Sequence, residues 1–351
     1  MKEERILNVL GQVDEKYIEE ATIEKKAKKN SWIKWIAIAA CFAIVFIGVN
    51  VGSNFFWKTG CGQTSHNITL MDGKVYYTCM NDGLYVYDQE SEVSNKLAKS
   101  SGILLKTHEG LVLYDTTTGI VYSVEQNKLT EITTIPDSTV FDMIADNLYY
   151  RTYTDNIGYD IVEENLRTGE CSVLLSVANG HITAQKIIGD KLYYSTTENE
   201  GMIFAFDMQS KDNTVLYNSP FNSVSFYDDF ALIEDEQGLS MLEYTNADVD
   251  FLCKYVPTTG ALDYYKGKLY FAISICVDSN ENYEESLIAL DVKTKEITTV
   301  AVLTNENGTV KTYTEIVVCD TGYYYTEPSA TIGGLFYHSF DGISEITICK
   351  N

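Results

Sequence analysis

The sequence predicts an all-β fold, a seven-bladed β-propeller, preceded by an N-terminal cytoplasmic helical tail and one transmembrane helix. Three observations predict it. A Tyr-rich motif recurs seven times after residue 70, residues 35–57 carry no charge, and five lysines gather between 25 and 34. The expected boundaries are a tail over 1–31, a span over 32–57, a juxtamembrane linker over 58–66 and the propeller over 67–351.

In the tail, Ile6, Leu10, Val13 and Tyr17 recur at helical spacing, with Gly11 as a C-cap and Asp14 as the cap of a second short helix. The tail is too small to bury a core of its own. It reads as a solvated stalk that sets topology, or as a docking helix for a cytoplasmic regulator through residues 1–30.

Trp35 to Val49 is unbroken apolar sequence apart from Gly48. With its flanks it reaches the roughly 20 residues a bilayer core requires. Trp32 and Trp35 at one end, and Phe55, Phe56 and Trp57 at the other, suit interfacial aromatic belts. Lys25, Lys26, Lys28, Lys29 and Lys34 precede the span, so the positive-inside rule puts the N-terminus in the cytoplasm and the body outside. Two other readings stay open. Ile38-Ala39-Ala40-Cys41 fits a lipobox, although apolar sequence continues past Cys41, and the stretch also fits a buried core helix.

The chain has 351 residues and a formal net charge of −24. Residues 58–351 hold 18 basic and 43 acidic side chains, so the body alone carries −25. Phosphate neutralisation needs Lys and Arg, which excludes generic nucleic-acid binding.

The body is a repeat of about 41 residues, the length of a propeller blade. Its motif is clearest in Asp72-Gly73-Lys74-Val75-Tyr76-Tyr77, Asp146-Asn147-Leu148-Tyr149-Tyr150 and Gly189-Asp190-Lys191-Leu192-Tyr193-Tyr194. Aligning positions 76, 113, 149, 193, 232, 270 and 324 gives the seven copies. The Asp-Gly or Gly-Asp pair makes a tight turn, and the Tyr run forms an inner strand buried between neighbouring sheets. A second apolar run, a polar turn such as Asp291-Val292-Lys293-Thr294-Lys295 and a third run complete each unit. A single four-stranded blade cannot cover both its faces, so blades stack until they close. Six blades is the alternative if the copy at Leu232 or the one at Tyr324 is not a blade.

Gly189-Asp190-Lys191-Leu192-Tyr193-Tyr194 and its copies resemble tyrosine-rich bacterial propellers of the domain of unknown function 5050 type, related to low-density-lipoprotein-receptor propellers. The resemblance spans roughly residues 65–350. The receptor propellers carry Tyr-Trp-Thr-Asp, where this chain has Tyr193-Tyr194-Ser195-Thr196 and Tyr149-Tyr150-Arg151-Thr152. The resemblance implies the architecture and names no ligand. The head, from Ile6-Leu7-Asn8-Val9-Leu10 to Ala39-Ala40-Cys41, looks like anchors of Gram-positive envelope proteins, some of them suspected anti-sigma regulators.

No catalytic, cofactor or metal site is expected. The four histidines, His66, His108, His181 and His338, lack metal spacing, although a propeller brings distant loops together. Gly238-Leu239-Ser240-Met241-Leu242 lacks the second glycine of a nucleophile elbow. Asp278-Ser279-Asn280-Glu281-Asn282 starts like a calcium loop, but Tyr283 and Ala289 stand where Gly and Glu belong. Asp228-Asp229 and Glu284-Glu285 read as turns on an acidic surface. The seven cysteines after the span are odd in number and scattered, which argues for free thiols; Cys79 and Cys276 suit buried strand ends, and Cys61 an exposed thiol. All three tryptophans lie at the span, and the repeat tyrosines read as blade core rather than ligand platforms.

The expected function is therefore a single-pass membrane protein displaying a binding or scaffold propeller to an envelope protein or glycan, without cofactor. The alternatives are a transmembrane sensor with an anti-sigma-like tail and an enzyme acting on envelope glycans or peptides.

Overall fold

The computed structural model describes residues 65–79, 82–125, 128–154, 158–178, 181–197, 201–276, 283–304, 311–327, 335–342 and 345–349. The tail, the span at 32–57 and the calcium-like run at 278–282 lie outside the described residues. No helix among those residues is long and apolar enough to cross a membrane.

Hairpin chemistry sets the blade. Met71 pairs with Lys74, leaving Asp72 and Gly73 as a two-residue turn at φ 51° and 72°. Both angles are positive, as a type I′ turn requires. Lys266 and Gly267 repeat the device between Tyr265 and Lys268. The turn after the third strand works by another means. Asp88, Asp207 and Asp291 each accept N–H bonds from the residues two and three further on, at 2.8–3.1 Å. These side chains cap their own turns. The backbone N–H groups hold all three carboxyls below their ordinary 3.8.

Where the third strand begins, two chains approach too closely for a side chain. A Cβ on Gly83 would lie 1.9 Å from the Ala98 carbonyl oxygen, and one on Gly238 would lie 2.1 Å from that of Cys253. The glycine of the Gly238-Leu239-Ser240 run thus serves strand packing in blade 5.

The described residues form seven antiparallel sheets. Blade 1 holds Ile68–Met71, Lys74–Cys79, Gly83–Asp88 and Val93–Ala98. Blades 2 to 7 follow as four strands each over 103–134, 138–177, 182–217, 223–253, 262–302 and 315–349. The copies at Leu232 and Tyr324 both lie in true blades, which settles seven over six. The wide step before Tyr324 is taken up by the long second and third strands of blade 6, Lys268–Cys276 and Tyr283–Asp291, and by the connection to blade 7.

First strands of neighbouring blades meet around the axis. Fourth strands form the rim, where Val93, Val173, Val215, Val249 and Val302 stand exposed. The Tyr-rich run is the second strand of each blade, one step out from the axis rather than innermost.

The third residue of every second strand packs against the next blade. These residues are Tyr76, Val112, Tyr149, Tyr193, Leu232, Tyr270 and Tyr324. In blade 2 the equivalent is Val112, one residue before the aligned Leu113, which packs backwards on blade 1. A slip of one residue reverses the face, so sequence spacing alone misplaced that copy.

The ring closes without strand exchange, since blade 7 is built entirely from 315–349. Ile68, Val75, Tyr77, Cys79 and Tyr87 of blade 1 pack on Tyr324, Leu335 and Tyr337 of blade 7. Glu315 accepts N–H bonds from Asn67 N at 3.1 Å and Asn67 Nδ2 at 3.1 Å across the same seam. A short strand, Ser65–His66, adds to the inner edge of blade 2 before the chain enters blade 1.

Candidate functional site

The fifth residue of each second strand shares a face with the third, because strand side chains alternate. These fifth residues are Thr78, Tyr114, Arg151, Ser195, Glu234, Ala272 and Thr326. Thr78 Oγ1 donates to the Gly102 carbonyl at 3.1 Å and Tyr114 OH to that of Ser138 at 2.6 Å. The position thus supplies a strap from one blade to the next. Blade 3 alone uses a cation for it.

Arg151 Nη1 donates to the Ile182 carbonyl and to Gln185 Oε1 at 3.4 Å, both in blade 4. Its guanidinium lies 5.5 Å from the centre of the Tyr159 ring. Among the described residues Arg151 forms no ion pair, and every hydrogen bond it makes uses Nη1. In a body with a charge near −25, a partly buried cation without a carboxylate is unusual.

Further polar groups surround it. Tyr159 OH and His181 Nδ1 are 3.0 Å apart, and the two rings meet edge to face. Tyr153, two residues beyond Arg151 on the same face, is 68 % exposed, and its ring centre lies 4.5 Å from that of Tyr159. Burial, reinforced by the Tyr153 phenol, pushes Tyr159 above the usual tyrosine value, while Arg151 pulls the other way. On the blade 4 side, Leu192 and Tyr194 face blade 3, so alternation puts Thr196 on that face too. Thr196 is 3 % exposed, and its hydroxyl has no hydrogen-bond partner. A guanidinium, a phenol, an imidazole and an amide therefore meet between blades 3 and 4 beside an exposed aromatic ring, with the Thr196 hydroxyl on the same interface.

A cavity of about 390 Å³ lies between blades 1 and 2 at the hairpin-turn end. Asp72, Lys74, Glu109 and Glu125 line it with Met71, Tyr76 and Met143. Glu109 is already engaged by the Ala145 N–H at 2.7 Å.

The residues weighed on sequence fall in separate places. His108 Nδ1 lies 2.9 Å from Asp142, whose burial raises its carboxyl against the pull of that histidine. His338 Nδ1 lies 2.8 Å from the Ser339 carbonyl oxygen, and its ring stacks on Tyr323. His66 sits on the short strand opposite Leu104. No cluster of metal-ligating side chains occurs among the described residues. Asp228 pairs with Lys186 at 2.8 Å, which holds its carboxyl low and ties blade 5 to blade 4. Glu285 is raised by burial beside Thr258. Cys171, Cys253 and Cys319 are free. Cys79 is buried as expected, whereas Cys276 is exposed, because the second strand of blade 6 runs past its core.

In the sequence Arg151 is visible only within Tyr149-Tyr150-Arg151-Thr152, where its signal is chemical: a lone arginine at the position that holds Thr78 and Ser195 in two sister motifs.

Comparison with solved structures shows the fold. The chain is similar to a prolyl endopeptidase over 83 % of its length, at 12 % identity and a TM-score of 0.57. It is similar to puromycin hydrolase over 84 %, at 10 % identity and a TM-score of 0.56. A puromycin-hydrolysing peptidase of Mycobacterium tuberculosis matches over 76 %, at 9 % identity and a TM-score of 0.50. The chain spans about half the length of these peptidases, 50 %, 54 % and 50 % respectively. No protein-family model and no curated protein matches the chain. The class is thus a seven-bladed β-propeller.

Proposed function

We propose that the chain is a non-catalytic binding module, a propeller of the tyrosine-rich bacterial type held on the cell membrane by the 32–57 span. In this reading the N-terminus is cytoplasmic and the propeller faces the envelope, where it grips a partner in the wedge between blades 3 and 4. The wedge carries the reading: its polar groups meet there, and no carboxylate among the described residues pairs with its cation. The side chains of His108, His181 and His338 bond Asp142, Tyr159 and the Ser339 carbonyl rather than a serine or cysteine side chain, which supports a binding role. The charge-free stretch behind five lysines supports the anchor and its orientation.

The exposed thiol of Cys171 gives the topology test. In a Cys61→Ser background, a membrane-impermeant maleimide labels it in intact cells if the propeller is outside, and Cys171→Ser removes that label. Labelling only after lysis overturns the display reading. Affinity capture from native membranes then compares the full chain with one lacking residues 2–30. The same envelope partners in both support a binding module. A cytoplasmic regulator captured only by the full chain replaces it with the sensor reading.

A further inference from the structure

We propose that the wedge between blades 3 and 4 binds a carboxylated sugar, with the carboxylate on Arg151 and the sugar ring against Tyr153. The inference rests on the reading of the propeller as a binding module and names its ligand class.

The carboxylate follows from the arginine. A guanidinium presents five N–H donors in a planar fork that matches a carboxylate bidentately. Among the described residues only Nη1 is engaged, which leaves Nη2 and Nε for an anion. Tyr159 supports the fork from its ring face and fixes its plane. Keeping a cation partly desolvated without a counter-ion is costly, and an incoming carboxylate removes that cost.

The sugar follows from what surrounds the cation. Tyr153 is an exposed ring whose lean on Tyr159, at 42°, holds it in place. A rigid, amphipathic ring suits a ligand that is apolar on its face and polar at its edge. His181, whose Nδ1 meets the Tyr159 hydroxyl, stands by as an edge partner. An extended peptide fits less well. The second and third strands of blade 3 and the second strand of blade 4 are paired on both sides, so the wedge offers no free ladder to such a chain.

The test uses the full chain in detergent micelles and titration calorimetry at neutral pH. The probes are a galacturonate trisaccharide, the matching neutral galactose trisaccharide and sodium acetate. The acidic sugar is expected to bind, the neutral sugar to bind roughly tenfold or more weakly, and acetate to compete only at high concentration. Arg151→Gln should remove the preference for the acidic sugar. Tyr153→Ala, at a position too exposed to disturb the fold, should weaken the acidic sugar while leaving acetate unchanged. Equal binding of acidic and neutral sugars overturns the proposal. So does failure of all three probes while an envelope partner is still captured by both the parent and Arg151→Gln, and that outcome leaves the binding-module reading standing.

Discussion

The interface between blades 3 and 4 and the seam between blades 7 and 1 use the same two strand positions to opposite ends. At the seam the pair is Tyr324 and Thr326; at the wedge it is Tyr149 and Arg151. Each interface contains a buried hydroxyl without a partner, Tyr324 OH in one and Thr196 Oγ1 in the other. Tyr324 is fully buried among Ile68, Val75, Tyr87 and Leu335, so its hydroxyl is sealed in an apolar joint. Thr196 is buried too, but it lies on the interface that also holds the Arg151 cation. An orphan polar group is therefore a packing defect in one setting and part of a polar interface in the other; the neighbours decide which.

The largest effect tests the seam. Tyr324→Ala empties a fully buried site and should cost about 3–5 kcal/mol, read as a lowered thermal midpoint. Tyr324→Phe removes only the sealed hydroxyl and should be neutral or stabilising. Equal losses from the two would mean that the hydroxyl has a partner after all. At the wedge, Arg151→Met gives up the bonds to Ile182 and Gln185 and should cost less, about 1–2 kcal/mol. The same change removes the one influence that lowers the Tyr159 phenol, so ultraviolet titration should find that phenol titrating higher still. A fall would contradict the stacking geometry. Glu315→Ala, which loosens the polar clasp on Asn67, should cost about 1 kcal/mol. Smallest per residue is the acid response of the turns. Asp88, Asp207 and Asp291 have folded values below 3.8, so what they contribute is complete above that pH and is lost as pH falls through the folded values. Asn at all three should flatten the decline of the melting point below pH 4.

The architecture was legible in the sequence and the wedge was not. Tyr76, Tyr149, Tyr193, Tyr270 and Tyr324 announce themselves because burial on the same face repeats with the blade. Leu113 misled by one residue because an apolar run such as Leu111-Val112-Leu113-Tyr114 reads alike on both faces. The wedge depends on pairs 22 and 34 residues apart, Tyr159 with His181 and Arg151 with Gln185, which no short motif encodes. Taken singly, His181 carried no information; its meaning came from the phenol the fold sets beside it. Asp228 shows the converse, since its charge belongs to a strut with Lys186.

Every blade but the second is one run of chain; blade 2 alone also takes up an outside strand, Ser65–His66. That has a genetic consequence. A blade other than the second can be duplicated or deleted by one in-frame event, and none of the remaining strands has to find a new partner within its sheet. Assembly during synthesis is equally simple, because each hairpin pair is complete as it emerges and only the last joint waits for the end of the chain.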